Sequence, residues 1–322
     1  MGKHRLIRQS RSMDRRTVLA AGGALGGSLA AMLFSFTQGI SQASSRNQVG
    51  IPSGLDPMPP LDTMPTAPAP APGTDWRQAG PPETVIDEVH SYFRGRTVEL
   101  LTVRPAGELP RSTPVCLVLH GRNGNARHPG FTTLPQALGD AIAAGAVPPY
   151  AFALVDGGNS YWHEHERGDD PMGMLLEEVP RWLARRGLGG PSGQPAAVAG
   201  VSMGGFGALL YARRRNERRR PVRACATLAP ALITTWEEMK LRNAFHDEAD
   251  WASMDPLRHI DKLGTVPNGI WCGTEDQFIE GARLFTAAAK PEISSLSPGG
   301  HSLEYFNGSL PAMVRFLGRH LG

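Results

Sequence analysis

From Thr84 onward, short apolar runs alternate with amphipathic stretches. Two β-rich runs, 84–93 and 97–104, meet at Arg94-Gly95-Arg96, as a hairpin would. Six further runs follow, at 115–119, 150–155, 196–201, 222–228, 269–272 and 292–296, and their lengths suit strands buried on both faces. Between them, Leu138 and Ile142, then Leu175, Leu176, Val179, Trp182 and Leu183, and finally the stretch 303–321 carry helical spacing. An antiparallel start followed by repeated β-α units predicts an α/β chain: a mostly parallel, doubly wound sheet of about eight strands with helices on both faces. In such sheets the reactive groups gather beyond the C-terminal ends of the strands.

The first 82 residues lack this alternation. Arg15 and Arg16 precede a small-residue apolar stretch, 17–36, and then Ser41-Gln42-Ala43, the order of an export signal. Asp14-Arg15-Arg16-Thr17-Val18-Leu19 resembles a twin-arginine signal, so residues 1–43 are expected to address the protein for export, with cleavage after Ala43. The rival is an uncleaved membrane anchor, which the many glycines of the stretch disfavour. Residues 44–82, rich in Pro, Ala, Ser and Thr, read as a disordered tether, leaving 83–322 as the catalytic domain.

Composition changes this picture little. The chain has 322 residues, 41% apolar and 20% charged, enough for a large core. Its net charge of +3 is concentrated in the N-terminus and in the run from Arg213 to Arg220, which suits a solvated helix end and gives no case for nucleic acid. Cys116, Cys225 and Cys272 are odd in number and each lies within an apolar run, so buried free thiols are expected.

Three strand ends carry the candidate chemistry. Gly200-Val201-Ser202-Met203-Gly204 follows a β run and opens a helix, the pattern of a nucleophile on a sharp turn, where side chains two positions either side would collide with the backbone. A serine hydroxyl needs a neighbouring imidazole to take its proton, and His301, in Pro298-Gly299-Gly300-His301-Ser302 before the last helix, is the candidate. The acid behind it should come from the loop after the preceding strand, where Glu275 and Asp276 both stand. Charge developing on the attacked carbonyl oxygen needs two donors. Met203 N–H, just after the nucleophile, is one, and Arg122 N–H, in the Gly-rich turn His120-Gly121-Arg122-Asn123-Gly124, is the other.

A fourth loop, 156–170, alternates His163 and His165 with carboxylates, but nothing elsewhere completes a metal shell, so neither metal nor organic cofactor is expected. It reads instead as a wall of the substrate cleft. Tyr161 and Trp162 would supply apolar surface, and Asp170, at the loop's end, and His120 are further candidates there. His120 fits a supporting role beneath the turn better than a chemical one.

Taken together, His120-Gly121-Arg122, Asp156-Gly157-Gly158 with Ser160-Tyr161-Trp162, Gly200-Val201-Ser202-Met203-Gly204-Gly205, Cys272-Gly273-Thr274-Glu275-Asp276 and Gly300-His301-Ser302-Leu303-Glu304-Tyr305 resemble the putative-esterase family, which includes esterase D and the antigen 85 type mycolyltransferases. The resemblance covers residues 84–322. It implies the α/β-hydrolase fold, a Ser202-Asp276-His301 triad, an oxyanion hole from Arg122 and Met203, and a secreted actinobacterial setting. His120 stands where the mycolyltransferases carry an aspartate, and the acid loop is of the aspartate type where theirs supplies a glutamate. These departures favour hydrolysis of small-molecule or lipid acyl esters, with possible cell-envelope association, over acyl transfer to a sugar or lipid alcohol. A catalytically silent hydrolase-fold protein that binds glycans or lipids is the third reading.

Overall fold

The computed structural model describes residues 76–322. The expected export signal, and residues 44–75 of the expected tether, lie outside the described residues. A hairpin opens the sheet: β1 (Glu83–Ser91) pairs antiparallel with β2 (Arg96–Arg104), and β2 pairs antiparallel with β4 (Ala151–Val155). The other pairings are parallel, through β3 (Val115–Leu119), β5 (Ala197–Val201), β6 (Ala224–Leu228), β7 (Asn268–Gly273) and β8 (Ile293–Ser297). The strand order is β1-β2-β4-β3-β5-β6-β7-β8, an α/β-hydrolase sheet.

Burial follows the apolar runs. Every residue of β3 to β7 is buried, because these strands are covered on both faces, whereas β1 at the edge alternates. Helices α1 (Leu134–Ala143) and α8 (Leu303–Leu321) pack against each other, with α8 lying on β5, β6 and β7. Helix α4 (Met203–Glu217) lies on β3, β5 and β6 and meets the π-helical turn Met174–Glu178 that joins α2 (Pro171–Gly173) to α3 (Val179–Arg185). Short helices α5 (Trp236–Met239) and α6 (Glu248–Met254) follow β6, and α7 (Ile279–Ala289) follows β7. All three cysteines are buried and free. Among the described residues no helix is long and apolar enough to cross a membrane.

One boundary needs correction. Residues 76–82 belong to the folded part rather than to a disordered tether. Trp76–Gln78 form a 3-10 turn, Trp76 packs on the core, and Pro82 lies against Gly139 of α1. An indole and a proline ring bury enough apolar surface against a helix to order a segment whose composition alone reads as linker.

Candidate active site

Helix α4 begins at a sharp turn. Ser202 sits at φ 56° and ψ −121°, a left-handed backbone that costs a non-glycine residue about 1–3 kcal/mol and persists only when its surroundings hold it. Its N–H donates to Leu228 O at 2.9 Å, and its carbonyl accepts from Gly205 N at 2.9 Å and Ala231 N at 2.8 Å, so the end of β6 and the first turn of α4 clamp it. Cβ atoms are not tolerated on either side: one at Gly200 would overlap the Gly204 carbonyl, and one at Gly204 would overlap the Leu119 carbonyl. The turn therefore lies against the C-terminal end of β3.

The end of β3 carries His120, buried to 1% exposure. Gly157 N–H donates to its Nε2 at 2.8 Å, which leaves the ring proton on Nδ1, and Nδ1–H donates to Gly121 O at 2.7 Å. Gly124 N–H donates to the same carbonyl at 3.0 Å. In a trans peptide the C=O and the following N–H point in opposite directions. Gly121 O is thus committed to His120 and Gly124, the Arg122 N–H of the same peptide points the opposite way, and Ser202 Cβ lies close to Gly121. Neither Arg122 N–H nor Met203 N–H has an acceptor among the described residues. Burial holds the His120 imidazole below its ordinary pKa, so the neutral tautomer these contacts need is the favoured form.

Three loops meet over the elbow. Ser202 O–H donates to His301 Nε2 at 2.9 Å, and His301 Nδ1–H donates to Asp276 Oδ2 at 2.7 Å. The other Asp276 oxygen accepts from Phe278 N–H at 2.8 Å. The Asp276 side chain is fully enclosed while that of His301 is 23% exposed, so the carboxylate is kept from water and the imidazole is open at one edge. Phe278 and Phe306 stand edge-on to the His301 ring at 5.2 and 5.0 Å. Glu275, the alternative acid in sequence, does other work. Its Oε2 accepts from Gly299 N–H at 2.7 Å and its N–H donates to Gly299 O at 3.0 Å, lacing the acid loop to the histidine loop.

The fourth loop corrects an expectation. Trp162 and Tyr161 are 0% and 1% exposed and do not form an open cleft wall. Both take positive φ, 67° and 55°, which turns their rings inward. The Trp162 indole wedges against Gly157 and Gly207, with Nε1–H donating to His120 O at 3.4 Å, and Tyr161 packs on Phe206 and Phe245. Asp170 is likewise a cap rather than a cleft residue: its Oδ1 accepts from Gly173 N–H at 2.8 Å at the start of α2. His163 is buried against the Ala244 carbonyl, and no metal-holding group of His, Cys, Asp and Glu occurs among the described residues.

Two residues that sequence reasoning did not single out brace this loop. Asp156 accepts from Ala126 N–H at 2.7 Å and Glu99 N–H at 3.0 Å, tying the turn after β3 to the hairpin. Arg94, buried in the hairpin turn, pairs with Asp169 and donates to Asp156 O at 2.5 Å. The only signal for them was the charged turn Arg94-Gly95-Arg96 and the Asp156-Gly157 pair.

Because the buried His120 resists protonation, the unfolded chain takes up a proton on this residue as pH falls below about 6.5 while the fold does not. Stability to urea should therefore fall with pH through that range, and His120→Asn, which cannot titrate, should show a shallower slope. Equal slopes in the two proteins would contradict the buried neutral assignment.

Comparison with known proteins identifies the family and the fold. Residues 105–317 match the family described as Putative esterase. The esterase NocK of Nocardia uniformis subsp. tsuyamanensis is 27% identical over 227 residues, which span 67% of this chain and 63% of NocK, so the match extends over less than two thirds of that relative. A ferulic acid esterase superposes with a TM-score of 0.62 at 17% identity, covering 75% of this chain and 99% of its own. An S-formylglutathione hydrolase from Agrobacterium tumefaciens superposes at 0.59 with 17% identity, covering 75% and 96%. The chain belongs to the Putative esterase family and has the α/β-hydrolase fold.

Proposed function

We propose that this protein is an exported serine esterase that hydrolyses small-molecule or lipid acyl esters through an acyl-enzyme on Ser202, with His301 as base and acid and Asp276 as the group that orients it. The observation that carries the reading is the unbroken relay from Ser202 O–H to His301 to a buried carboxylate, set beside two unpaired backbone N–H groups. Ser202 Oγ attacks the ester carbonyl as its proton passes to His301 Nε2, and Asp276 stabilises the imidazolium. Arg122 N–H and Met203 N–H receive the oxyanion. The C–O bond then breaks and His301 returns the proton to the departing alcohol. Water, deprotonated by the same imidazole, releases the acid and restores Ser202. Export is supported by Arg15, Arg16 and the apolar stretch after them, and cell-envelope association is consistent with that address.

Two experiments test this reading. When cells expressing the full chain are treated with a fluorophosphonate, the label should appear on Ser202 of protein outside the cytoplasm. Ser202→Ala should abolish labelling and lower nitrophenyl ester turnover by about 10⁴-fold or more, and Lys at positions 15 and 16 should hold labelled protein inside. An active preparation that does not label, or labelled protein that stays outside without its arginines, would refute the corresponding part. The second experiment concerns His120 as a positioning residue. His120→Leu should lower kcat by about tenfold to a hundredfold with a smaller change in KM, and His120→Asn, which keeps a donor near the Nδ1 position, should recover part of the loss. Equal losses in KM and kcat, or no rescue by Asn, would place its role elsewhere.

A further inference from the structure

Beyond β6, Arg242 brings a positive charge against Phe278, one of the two rings that flank His301. Its guanidinium carbon lies 5.7 Å from the centre of the Phe278 ring, and the same ring stands edge-on to the His301 imidazole, so one aromatic ring touches both the cation and the base. The guanidinium is poorly satisfied. Nε is buried without a hydrogen-bond partner, and the one carboxylate at Nη2 is Glu238, at 3.5 Å and half exposed. A 3.5 Å contact to a half-exposed carboxylate contributes little, so the outer nitrogens keep most of their capacity to donate. Leu241, beside Arg242, is 75% exposed, and Leu303, two residues after His301, is 50% exposed. Exposed leucines on the segments that carry Arg242 and His301, together with an under-used fork of donors, are the combination that binds a short chain ending in a carboxylate.

We propose that Arg242 is a specificity-determining residue that selects esters bearing a carboxylate within a few bonds of the scissile carbonyl. The inference rests on the esterase reading above and adds the chemical class of its substrate. Arg242 holds the carboxylate through its outer nitrogens, displacing Glu238, while Phe278 touches both the cation and the imidazole it flanks. The carboxylate can belong to the acid or to the alcohol half of the ester, and the two are separable by experiment.

The test compares kcat/KM for anionic and neutral esters of matched size: 4-nitrophenyl hemisuccinate against 4-nitrophenyl butyrate for a charge on the acyl side, and 4-acetoxybenzoate against 4-acetoxybenzamide for a charge on the alcohol side. In at least one pair the anionic ester should be favoured by about tenfold or more, the effect of one charge-assisted contact. Arg242→Gln should bring that ratio close to one, Arg242→Lys should keep most of it, and Glu238→Gln should raise it. The ratio is internal to each variant, so a general loss of activity from disturbing Phe278 does not obscure it. Equal rates on both members of both pairs, or a preference that survives in Arg242→Gln, would overturn the proposal while leaving the esterase reading intact. Hydrolysis of none of the four esters would instead count against the esterase reading.

Discussion

Ser202 is held in a left-handed backbone between β5 and α4, and the rest of the site is arranged around that strained turn. The strain lifts the hydroxyl out of the sheet and leaves the N–H of Met203 at the start of a helix, where the dipole favours negative charge. It is possible because the Leu228 carbonyl and the N–H groups of Gly205 and Ala231 hold the residue from three sides, and because Gly200 and Gly204 let β3 and α4 approach without side chains between them. That approach brings the end of β3 beside Ser202. A larger residue at either glycine would separate the Ser202 hydroxyl from the end of β3 even if Asp276 and His301 kept their places.

Around the turn, burial is graded to suit the chemistry. Asp276 is enclosed and accepts two N–H groups, so it holds the imidazole without competing water. His301 is open at one edge, flanked by two aromatic rings that limit its rotation. The opposite wall is backbone: His120 grips the Gly121 carbonyl and so aims the next N–H. Arg94, Asp156 and Gly157 then hold His120. A chain of contacts from the opening hairpin thus sets one peptide plane at the site.

Much of this was legible in the sequence because it follows from local rules. Strands buried on both faces read as continuous apolar runs, and β3 to β7 were placed to within a residue or two on that signal. The elbow glycines and the order of Ser202, Asp276 and His301 along the chain located the three strand ends that meet. What stayed hidden depends on packing between distant segments. Tyr161 and Trp162 read as cleft surface because a polar loop is expected to expose its rings. Their positive φ and the gaps at Gly157 and Gly207 instead bury them, and neither feature leaves a pattern in one stretch of chain. Glu275 and Asp276 are adjacent carboxylates in one loop, and only the position of the Gly299 backbone assigns them different work. Trp76 and Pro82 were lost in a proline-rich composition although they pack on α1.

The central proposal is geometric: that the peptide between Gly121 and Arg122 is held so that its N–H and that of Met203 converge on one point above the Ser202 hydroxyl. A crystal structure of the enzyme phosphonylated at Ser202 tests it most directly. The account predicts the phosphoryl oxygen within about 2.7–3.1 Å of both nitrogens, with Gly121 O still on His120 Nδ1. A phosphoryl oxygen bound by any other pair of donors, or a Gly121 carbonyl turned toward the adduct, would contradict it.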